Sequence, residues 1–247
     1  MLKVVFFDAA GTLFDTHEPV GSIYARLARR FGLEAPDSVV DAAFRRAFRA
    51  SPGLAFGPGH SPDELRRLEK LWWRDLVWTT FEQLGRFDDF ERFFEALFAH
   101  FADPKTWRVD PEALGVFEAL KERRLRLGII SNFDWRLYGV LEACGMLRYV
   151  DSVTISSEVG YAKPAPEIFQ AALAKHDLAP NQALHVGDSL SLDVGGALSA
   201  GIPGLLLDRR GRHLGQLRGA VGCARSLAEV LKVVDEIESG TLRLEKS

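Results

Sequence analysis

Short apolar runs alternate with amphipathic segments in two parts of the chain, and this alternation predicts the fold class. The runs are nearly continuous in apolar residues, as strands buried on both faces are, whereas the segments between them repeat apolar positions every three to four residues. The predicted strands cover residues 3–8, 127–131, 152–156, 183–188 and 204–208. The predicted helices cover residues 112–124, 136–144, 165–176 and 193–200. The pattern therefore predicts an α/β fold with a doubly wound parallel sheet.

Residues 15–107 interrupt this alternation with helical patterns and no strand pattern. Amphipathic or helical stretches cover residues 23–31, 38–50 and 62–84, with a Gly- and Pro-rich break at 51–61. Phenylalanines then recur three or four residues apart on one helical face: Phe87, Phe90, Phe94, Phe98 and Phe101. Such a stripe is typical of the core of a small helical bundle. We expect a helical domain at 15–107, inserted into a core domain formed by residues 1–14 and 108–247.

Composition and charge narrow the class of protein. The chain has 247 residues, 47% hydrophobic and 26% charged, which is ordinary for a soluble globular protein. Its formal net charge of −3 gives no electrostatic reason to expect nucleic acid or an anionic membrane as a partner. No apolar run approaches the length of a membrane span, and Cys144 and Cys223 are expected to be free thiols. We expect a cytoplasmic protein with a small-molecule substrate; the sequence does not predict its oligomeric state.

Residues with polar or charged side chains follow the predicted strands. They are Asp8 with Thr12, Ser131 with Asn132, Lys163 before Pro164, and Asp188 with Asp193. Each alone is ordinary in a turn or a loop. Because the carboxyl ends of parallel strands meet at one edge of a sheet, together they place three carboxylates beside one ammonium group. Clustered carboxylates repel one another unless cations neutralise them, and oxygen ligands without His or Cys favour Mg²⁺.

The order and spacing of these residues resemble a known family. The sequences Asp-x-x-Gly-Thr-Leu-Phe, Ser-Asn, Lys-Pro and Gly-Asp-x-x-x-x-Asp are similar to the four motifs of the haloacid dehalogenase-like (HAD) hydrolase superfamily. The resemblance extends from residue 3 to about residue 210. The stretch Ser-Asn-Phe-Asp-x-Arg, which begins at Ser131, resembles a branch of uncharacterised HAD-like hydrolase-domain proteins. The resemblance implies a Rossmann-like core with an α-helical cap inserted after the first motif.

The resemblance also implies a role for each motif residue. Asp8 is expected to be the nucleophile that forms an aspartyl-phosphate, with Lys163 as the second catalytic residue, which tethers nucleophile and phosphate. The expected Mg²⁺ ligands are Asp8, the backbone carbonyl of Ala10, Asp188 and Asp193. The expected phosphate-binding residues are Thr12, Ser131, Asn132 and Lys163. Positioning and charge neutralisation are most of what phosphoryl transfer requires.

Ala10 departs from the pattern of the family's phosphatases. They have an aspartate two residues after the nucleophile, which protonates the leaving oxygen and then activates water. General acid–base catalysis of this kind contributes about 10²–10⁴-fold. The sequence therefore predicts a Mg²⁺-dependent phosphohydrolase that is weak, or restricted to leaving groups that need no proton. The substrate or a cap residue is another source of the acid, and His17 and Glu18 are the candidates in sequence.

Other functions remain open at this point. The stretch Phe-Asp-Ala-x-Gly-Thr-Leu-Phe-Asp also resembles 2-haloacid dehalogenases, whose halide leaves without a proton. Those enzymes work without metal, however, and have Asn where this chain has Asp188. Alanine at position 10 is also familiar in phosphonate cleavage, which uses a cap lysine, and Lys70 is the candidate. A third possibility is a non-catalytic relative that binds Mg²⁺ and a phosphorylated ligand.

Overall fold

The predicted apolar runs form strands of one parallel sheet in the computed structural model, which describes residues 1–211 and 221–242. The strands are Val4–Phe7 (β1), Phe14–Thr16 (β2), Trp107–Val109 (β3), Arg126–Ser131 (β4), Ser152–Ile155 (β5), Ala183–Gly187 (β6), Gly204–Leu207 (β7) and Gly222–Ala224 (β8). Six of them pair in the order β5-β4-β1-β6-β7-β8, and every neighbouring pair is parallel. The predicted α/β fold with a parallel sheet is confirmed.

Helices cover both faces of this sheet, because its central strands are apolar on both sides. The helices are Val20–Arg29 (α1), Asp37–Ala50 (α2), Pro62–Phe81 (α3), Phe90–Ala102 (α4), Ala113–Glu122 (α5), Arg136–Ala143 (α6), Ser156–Val159 (α7), Pro166–Ala174 (α8), Gly196–Ser199 (α9) and Leu227–Glu238 (α10). One apolar cluster joins the sheet to α5, α6 and α10, and another joins it to α8 and α9. The sheet is therefore doubly wound, as predicted.

Four helices, α1 to α4, lie between β2 and β3 in the chain and share their own apolar cluster. Phe93 and Phe94 are buried at its centre, and the other phenylalanines of the predicted stripe pack against it. Side-chain caps begin two of these helices: Ser61 accepts a hydrogen bond from the backbone N–H of Glu64, and Asp89 from that of Arg92. The cap boundary at 15–107 stays a prediction.

A short antiparallel pair of strands, β2 and β3, lies where the chain leaves the core and returns to it. Phe14 pairs with Val109, and Thr16 pairs with Trp107. The expectation that no strand occurs between residues 15 and 107 is therefore wrong at both ends. Strands of three residues are too short to show an alternating pattern in the sequence. The pair joins the two connections between the sheet and the four helices.

The register of the central strands brings three strand ends to one level. Phe7 lies beside Ile129 of β4 on one side and Val186 of β6 on the other. The chain therefore leaves β1, β4 and β6 at the same edge of the sheet. Asp8 is the first residue after β1, the central strand of the three. None of the helices in residues 1–211 and 221–242 is both long and apolar enough to cross a membrane.

Candidate active site

Lys163 lies at the centre of the predicted site, where its ammonium group contacts two carboxylates. Nζ lies 2.6 Å from Oδ1 of Asp8 and 2.6 Å from Oδ1 of Asp193, and it donates to the backbone carbonyl of Ile130 at 3.0 Å. All three charged side chains are buried. Burial opposes the charge on Lys163, but the carboxylates of Asp193 and Asp8 raise its pKa above the usual value. The lysine is therefore a fixed positive charge between two acids.

Asp188 completes a cluster of three acids. One carboxylate oxygen from each of Asp8, Asp188 and Asp193 lies within 4.8 Å of the other two. Burial, together with the charges of Asp8 and Asp193, raises the pKa of Asp188 to about 7. With all three acids ionised, the cluster and Lys163 carry a net charge of −2, which one divalent cation balances. The donors are all oxygens, so this set fits Mg²⁺.

Contacts from β6 and from the loop after it hold Asp193 in place. Its Oδ2 accepts a hydrogen bond from the backbone N–H of Ser189 at 2.9 Å, and its Oδ1 lies 3.1 Å from Nε2 of His185. A Cβ atom on Gly187 would lie 2.2 Å from Cγ of Asp193, so only glycine allows this approach. Lys163 and His185 hold the pKa of Asp193 below its usual range against the effect of burial.

His185 was not among the predicted site residues, although a signal for it existed. It is the one polar side chain in the apolar strand β6. Burial lowers its pKa, so the imidazole is neutral and its Nε2–H donates to Asp193. A polar residue at the centre of a buried strand requires a partner, and that requirement alone pointed to the site.

The predicted phosphate-binding residues occupy different positions around Asp8. The hydroxyl of Ser131 donates to Oδ1 of Asp8 at 3.3 Å. Asn132 donates from Nδ2 to the carbonyl of Lys163 at 2.9 Å and accepts from the N–H of Lys163 at 2.7 Å. Its side chain therefore holds the loop that carries the lysine. The hydroxyl of Thr12 is buried and has no hydrogen-bond partner among the described residues.

Arg209 holds the turn that follows β1. It donates to the backbone carbonyls of Gly11 and Thr12, both at 2.7 Å, and its guanidinium lies 2.6 Å from Oδ2 of Asp110. Gly11 has a φ of 89°, and a Cβ there would lie 2.7 Å from Oδ2 of Asp188. The turn thus depends on glycine and on an arginine from beyond β7. No pattern in the sequence predicted a role for this arginine.

Contacts between the four helices and the core also lie beside the site. Nε1 of Trp73, in α3, donates to Oδ2 of Asp134 at 2.6 Å, and Asp134 pairs with Arg136 at the same distance. The hydroxyl of Ser157 donates to the buried carboxyl of Glu69, also in α3. Burial raises the pKa of Glu69 to about 7. These contacts hold the helices against the sheet edge, and the sequence analysis predicted none of them.

The candidates for a substitute acid and for a catalytic cap lysine lie elsewhere. Glu18 pairs with Arg26 at 2.9 Å, and both side chains are largely exposed. Lys70 pairs with Glu95 at 2.7 Å, and both side chains are partly exposed. His17 is exposed. The structure therefore brings none of these three side chains to Asp8.

Comparisons with known proteins cover most of the chain. A family model described as haloacid dehalogenase-like hydrolase matches residues 2–201. Haloacid dehalogenase-like hydrolase domain-containing protein 3 of Bos taurus is 34% identical over 212 residues, which cover 83% of this chain and 82% of that protein.

Two solved structures share the fold. The HAD-hydrolase YfnB from Bacillus subtilis, bound to magnesium, has a TM-score of 0.74 at 16% identity, covering 95% of this chain and 99% of that one. The 2-haloacid dehalogenase from Pseudomonas syringae pv. Tomato DC3000 has a TM-score of 0.68 at 22% identity, covering 96% and 99%. The family match and the relative at 34% identity extend over most of the chain. The chain belongs to the haloacid dehalogenase-like hydrolase family.

Proposed function

We propose that the protein is a Mg²⁺-dependent phosphohydrolase that acts on a small phosphorylated metabolite through an aspartyl-phosphate on Asp8. One observation carries the proposal: Lys163 bridges Asp8 and Asp193 at 2.6 Å each, while Asp188 lies in the same cluster. Three acids around one lysine leave room in the charge balance for a divalent cation. A phosphate group has the charge that this combination neutralises.

The residues that would hold Mg²⁺ are Asp8, the backbone carbonyl of Ala10, Asp188 and Asp193. When bound, the ion supplies positive charge to the phosphoryl group and to the nucleophile. The solved structure of YfnB is bound to magnesium, which supports the same cofactor for the protein described here. Asp188 is the exposed member of the cluster, so it faces the side from which ligands arrive.

The chain's own residues would bind and orient the phosphoryl group. Lys163 and the hydroxyl of Ser131 already contact Oδ1 of Asp8, which leaves Oδ2 for attack on phosphorus. The Asn132 side chain is occupied by Lys163, so its backbone N–H is the group that would reach a phosphate oxygen. Thr12, in the turn after Asp8, offers a hydroxyl that has no hydrogen-bond partner among the described residues. Residues 15–107 would form a cap that excludes water from this edge.

Ala10 limits the substrates in this proposal. A methyl group neither donates a proton to a leaving oxygen nor removes one from water. Loss of that help is expected to slow ordinary alkyl phosphates by about 10²–10⁴-fold. The efficient substrates are those whose leaving group departs as a stable anion.

A phosphatase assay over a panel of phosphate esters, with Mg²⁺ and with EDTA, tests the proposal. Turnover is expected with Mg²⁺ only, and Asp8→Asn is expected to abolish it. Ala10→Asp is expected to raise the rate on alkyl phosphates by at least tenfold. Failure of both the wild type and Ala10→Asp on every ester would contradict the proposal.

The same assay separates the alternatives. A 2-haloacid dehalogenase would release chloride from 2-chloropropionate in EDTA. The carboxylate of Asp188 near Asp8 would repel that substrate, so we expect no chloride. Tight binding of orthovanadate in Mg²⁺ without turnover of any ester would indicate a non-catalytic binding protein.

A further inference from the structure

An apolar cavity of about 200 Å³ lies between the four helices and the sheet, and it reaches the site at Ala10 and Asn132. Its walls are mostly aromatic and aliphatic side chains of α1 to α4, among them Tyr24, Phe44, Trp73, Val77, Leu97 and Phe98. Because residue 10 is alanine, the wall nearest the nucleophile strand carries a methyl group where a carboxyl would otherwise stand. A group leaving from a phosphoryl on Asp8 therefore has an apolar space beside it.

Among the described residues, the cation in the cavity wall is Arg136, and it is already paired. Its Nη2 lies 2.6 Å from Oδ2 of Asp134, and its Nε donates to Oδ1 of the same residue at 2.8 Å. The guanidinium also lies 4.0 Å from the ring centre of Phe98 and 5.3 Å from that of Trp73. Its charge and its planar face are both used, so it is not free for a second anionic group of the substrate.

The other polar groups that the described part of the chain contributes to the wall place no further charge inside the cavity. The hydroxyl of Thr16 donates to the carbonyl of Glu18 at 2.6 Å. Burial raises the pKa of Tyr24, so its phenol stays neutral. Asp15 is exposed and also lines the neighbouring polar cleft, so its carboxylate lies at the rim. The chemistry of the wall disfavours sugars, nucleotides and groups with a second phosphate.

The volume sets the size of the occupant. An apolar protein cavity of about 150 Å³ accommodates a benzene molecule. A cavity of about 200 Å³ therefore holds one aromatic ring with a small substituent. Ring edges and faces in the wall give an aromatic occupant favourable contacts beyond the burial of its apolar area.

We propose that this cavity binds the ring of an aryl phosphate monoester, whose phenolate is the leaving group. This assignment rests on the proposed phosphohydrolase function and names its substrate class. A carboxylate oxygen of Asp8 bonds to phosphorus, the bond between phosphorus and the aryl oxygen breaks, and the electron pair leaves on the aryl oxygen. Phenols have a pKa of about 10, whereas the pKa of water is about 15.7. Phenolate therefore departs without the proton that alanine at position 10 cannot supply. Water then attacks phosphorus, releases inorganic phosphate and a proton, and restores the Asp8 carboxylate.

Four esters and anhydrides of phosphate test the aryl assignment separately from the broader phosphohydrolase proposal. Phenyl phosphate has the ring and the stable anion, cyclohexyl phosphate has only the apolar body, acetyl phosphate has only the stable anion, and glycerol phosphate has neither. With Mg²⁺, kcat/KM for phenyl phosphate is expected to exceed that for each of the other three at least tenfold. Phenol is expected to inhibit competitively.

The outcomes distinguish the two levels of the proposal. Equal or faster turnover of acetyl phosphate, without competition by phenol, would overturn the aryl assignment and leave the phosphohydrolase in place. Equal turnover of cyclohexyl phosphate would likewise overturn the choice of a phenolate. No turnover of any of the four with Mg²⁺, while other esters of the wider panel are hydrolysed, would overturn the aryl assignment alone. Failure on the whole panel as well would overturn the phosphohydrolase.

A variant that fills the cavity provides an independent test. Val77 is buried in α3 and lines the cavity, so Val77→Phe is expected to lower the ratio of kcat/KM for phenyl over acetyl phosphate at least tenfold. Leu71→Phe, on an exposed position of the same helix, is the matched control and should leave the ratio unchanged. An unchanged ratio in folded Val77→Phe would contradict the assignment. If that variant does not fold, phenol binding to the wild type, measured by calorimetry, decides in its place, and absence of binding overturns the assignment.

Discussion

The ammonium of Lys163 and the carboxylate of Asp8 form a buried ion pair, with 2.6 Å between Nζ and Oδ1. The two residues are 155 positions apart in the chain, and the pair joins the end of β1 to the loop before α8. Asp193 shares the same ammonium group, so one lysine contacts two acids at the sheet edge. This shared contact is central to both the stability of the site and its proposed chemistry.

Replacement of Lys163 is expected to destabilise the fold and abolish activity. Lys163→Met leaves clustered carboxylates without their cation, and breaking a buried pair in this way costs about 3–5 kcal/mol. Urea unfolding in EDTA measures the loss. Lys70→Met, which removes an exposed pair with Glu95, is the control and should cost less than about 1 kcal/mol. An equal loss in the free energy of unfolding for the two variants would show that the buried pair stabilises the fold no more than an exposed pair does.

Magnesium is expected to raise the melting temperature of the wild type through the acid cluster. A ligand at a hundredfold excess over its Kd stabilises by about 2.7 kcal/mol, which corresponds to about 5–10 °C for a chain of this size. Asp188→Asn is expected to remove most of this shift. Asp177→Asn is the control, because Asp177 is exposed and has a φ of 55°, which asparagine tolerates. The same shift in all three proteins would place the metal elsewhere.

Glu69 is expected to make stability depend on pH. Its carboxyl is buried against Ser157, near Asp134 and Glu158, and its pKa is raised to about 7 from 4.5 in the unfolded chain. The folded state therefore holds the proton more tightly, so this contribution to stability is complete below about pH 4.5 and is lost as the pH rises through about 7. The free energy of unfolding should fall over this window.

Glu69→Gln is expected to flatten that fall, because the amide does not titrate. Urea unfolding from pH 5 to pH 8 compares this variant with the wild type and with Glu82→Gln, whose side chain is exposed at the end of the same helix. If Glu69→Gln keeps the pH slope of the wild type, Glu69 is ionised in the folded protein throughout this range.

The missing carboxyl at position 10 is expected to slow the second chemical step. Without a base to activate water, the aspartyl-phosphate on Asp8 should accumulate. Stopped-flow measurement with 4-nitrophenyl phosphate and Mg²⁺ should therefore show a burst of about one equivalent of phenolate per site. Ala10→Asp should shrink the burst and raise the steady rate, and Asp8→Asn should show neither. A wild-type time course that is linear from the first turnover would indicate that water attack is not limiting.

The elements that carry the site were predictable because their signals are local. Asp8, Ser131 and Asp188 each lie at or just after the end of an apolar strand. The alternation of apolar runs with helical segments was enough to predict that they share one edge of the sheet. The contacts that hold this edge together join residues that are distant in sequence, so no periodic pattern in the sequence predicts them. Trp73 and Asp134 are 61 positions apart, and Ser157 and Glu69 are 88 apart.

The hydrophobic pattern of the sequence also did not predict the short and irregular elements. The pair β2–β3 has three residues in each strand, and residues 190–195 form a π-helical turn before α9 where a regular helix was expected. That turn carries Asp193 back towards Lys163, so the irregularity lies in the site itself. Residues 212–220 and 243–247, which the sequence analysis assigned to the core domain, lie outside the described residues.

A crystal structure of the protein grown with Mg²⁺ and beryllofluoride tests the central claim most directly. We expect the ion within about 2.0–2.1 Å of carboxylate oxygens of Asp8, Asp188 and Asp193 and of the Ala10 carbonyl. Beryllofluoride should be bonded to Asp8, with Lys163 and Ser131 in contact with its fluorines. A structure in which this cluster binds neither species, with the acids turned away from one another, would contradict the account.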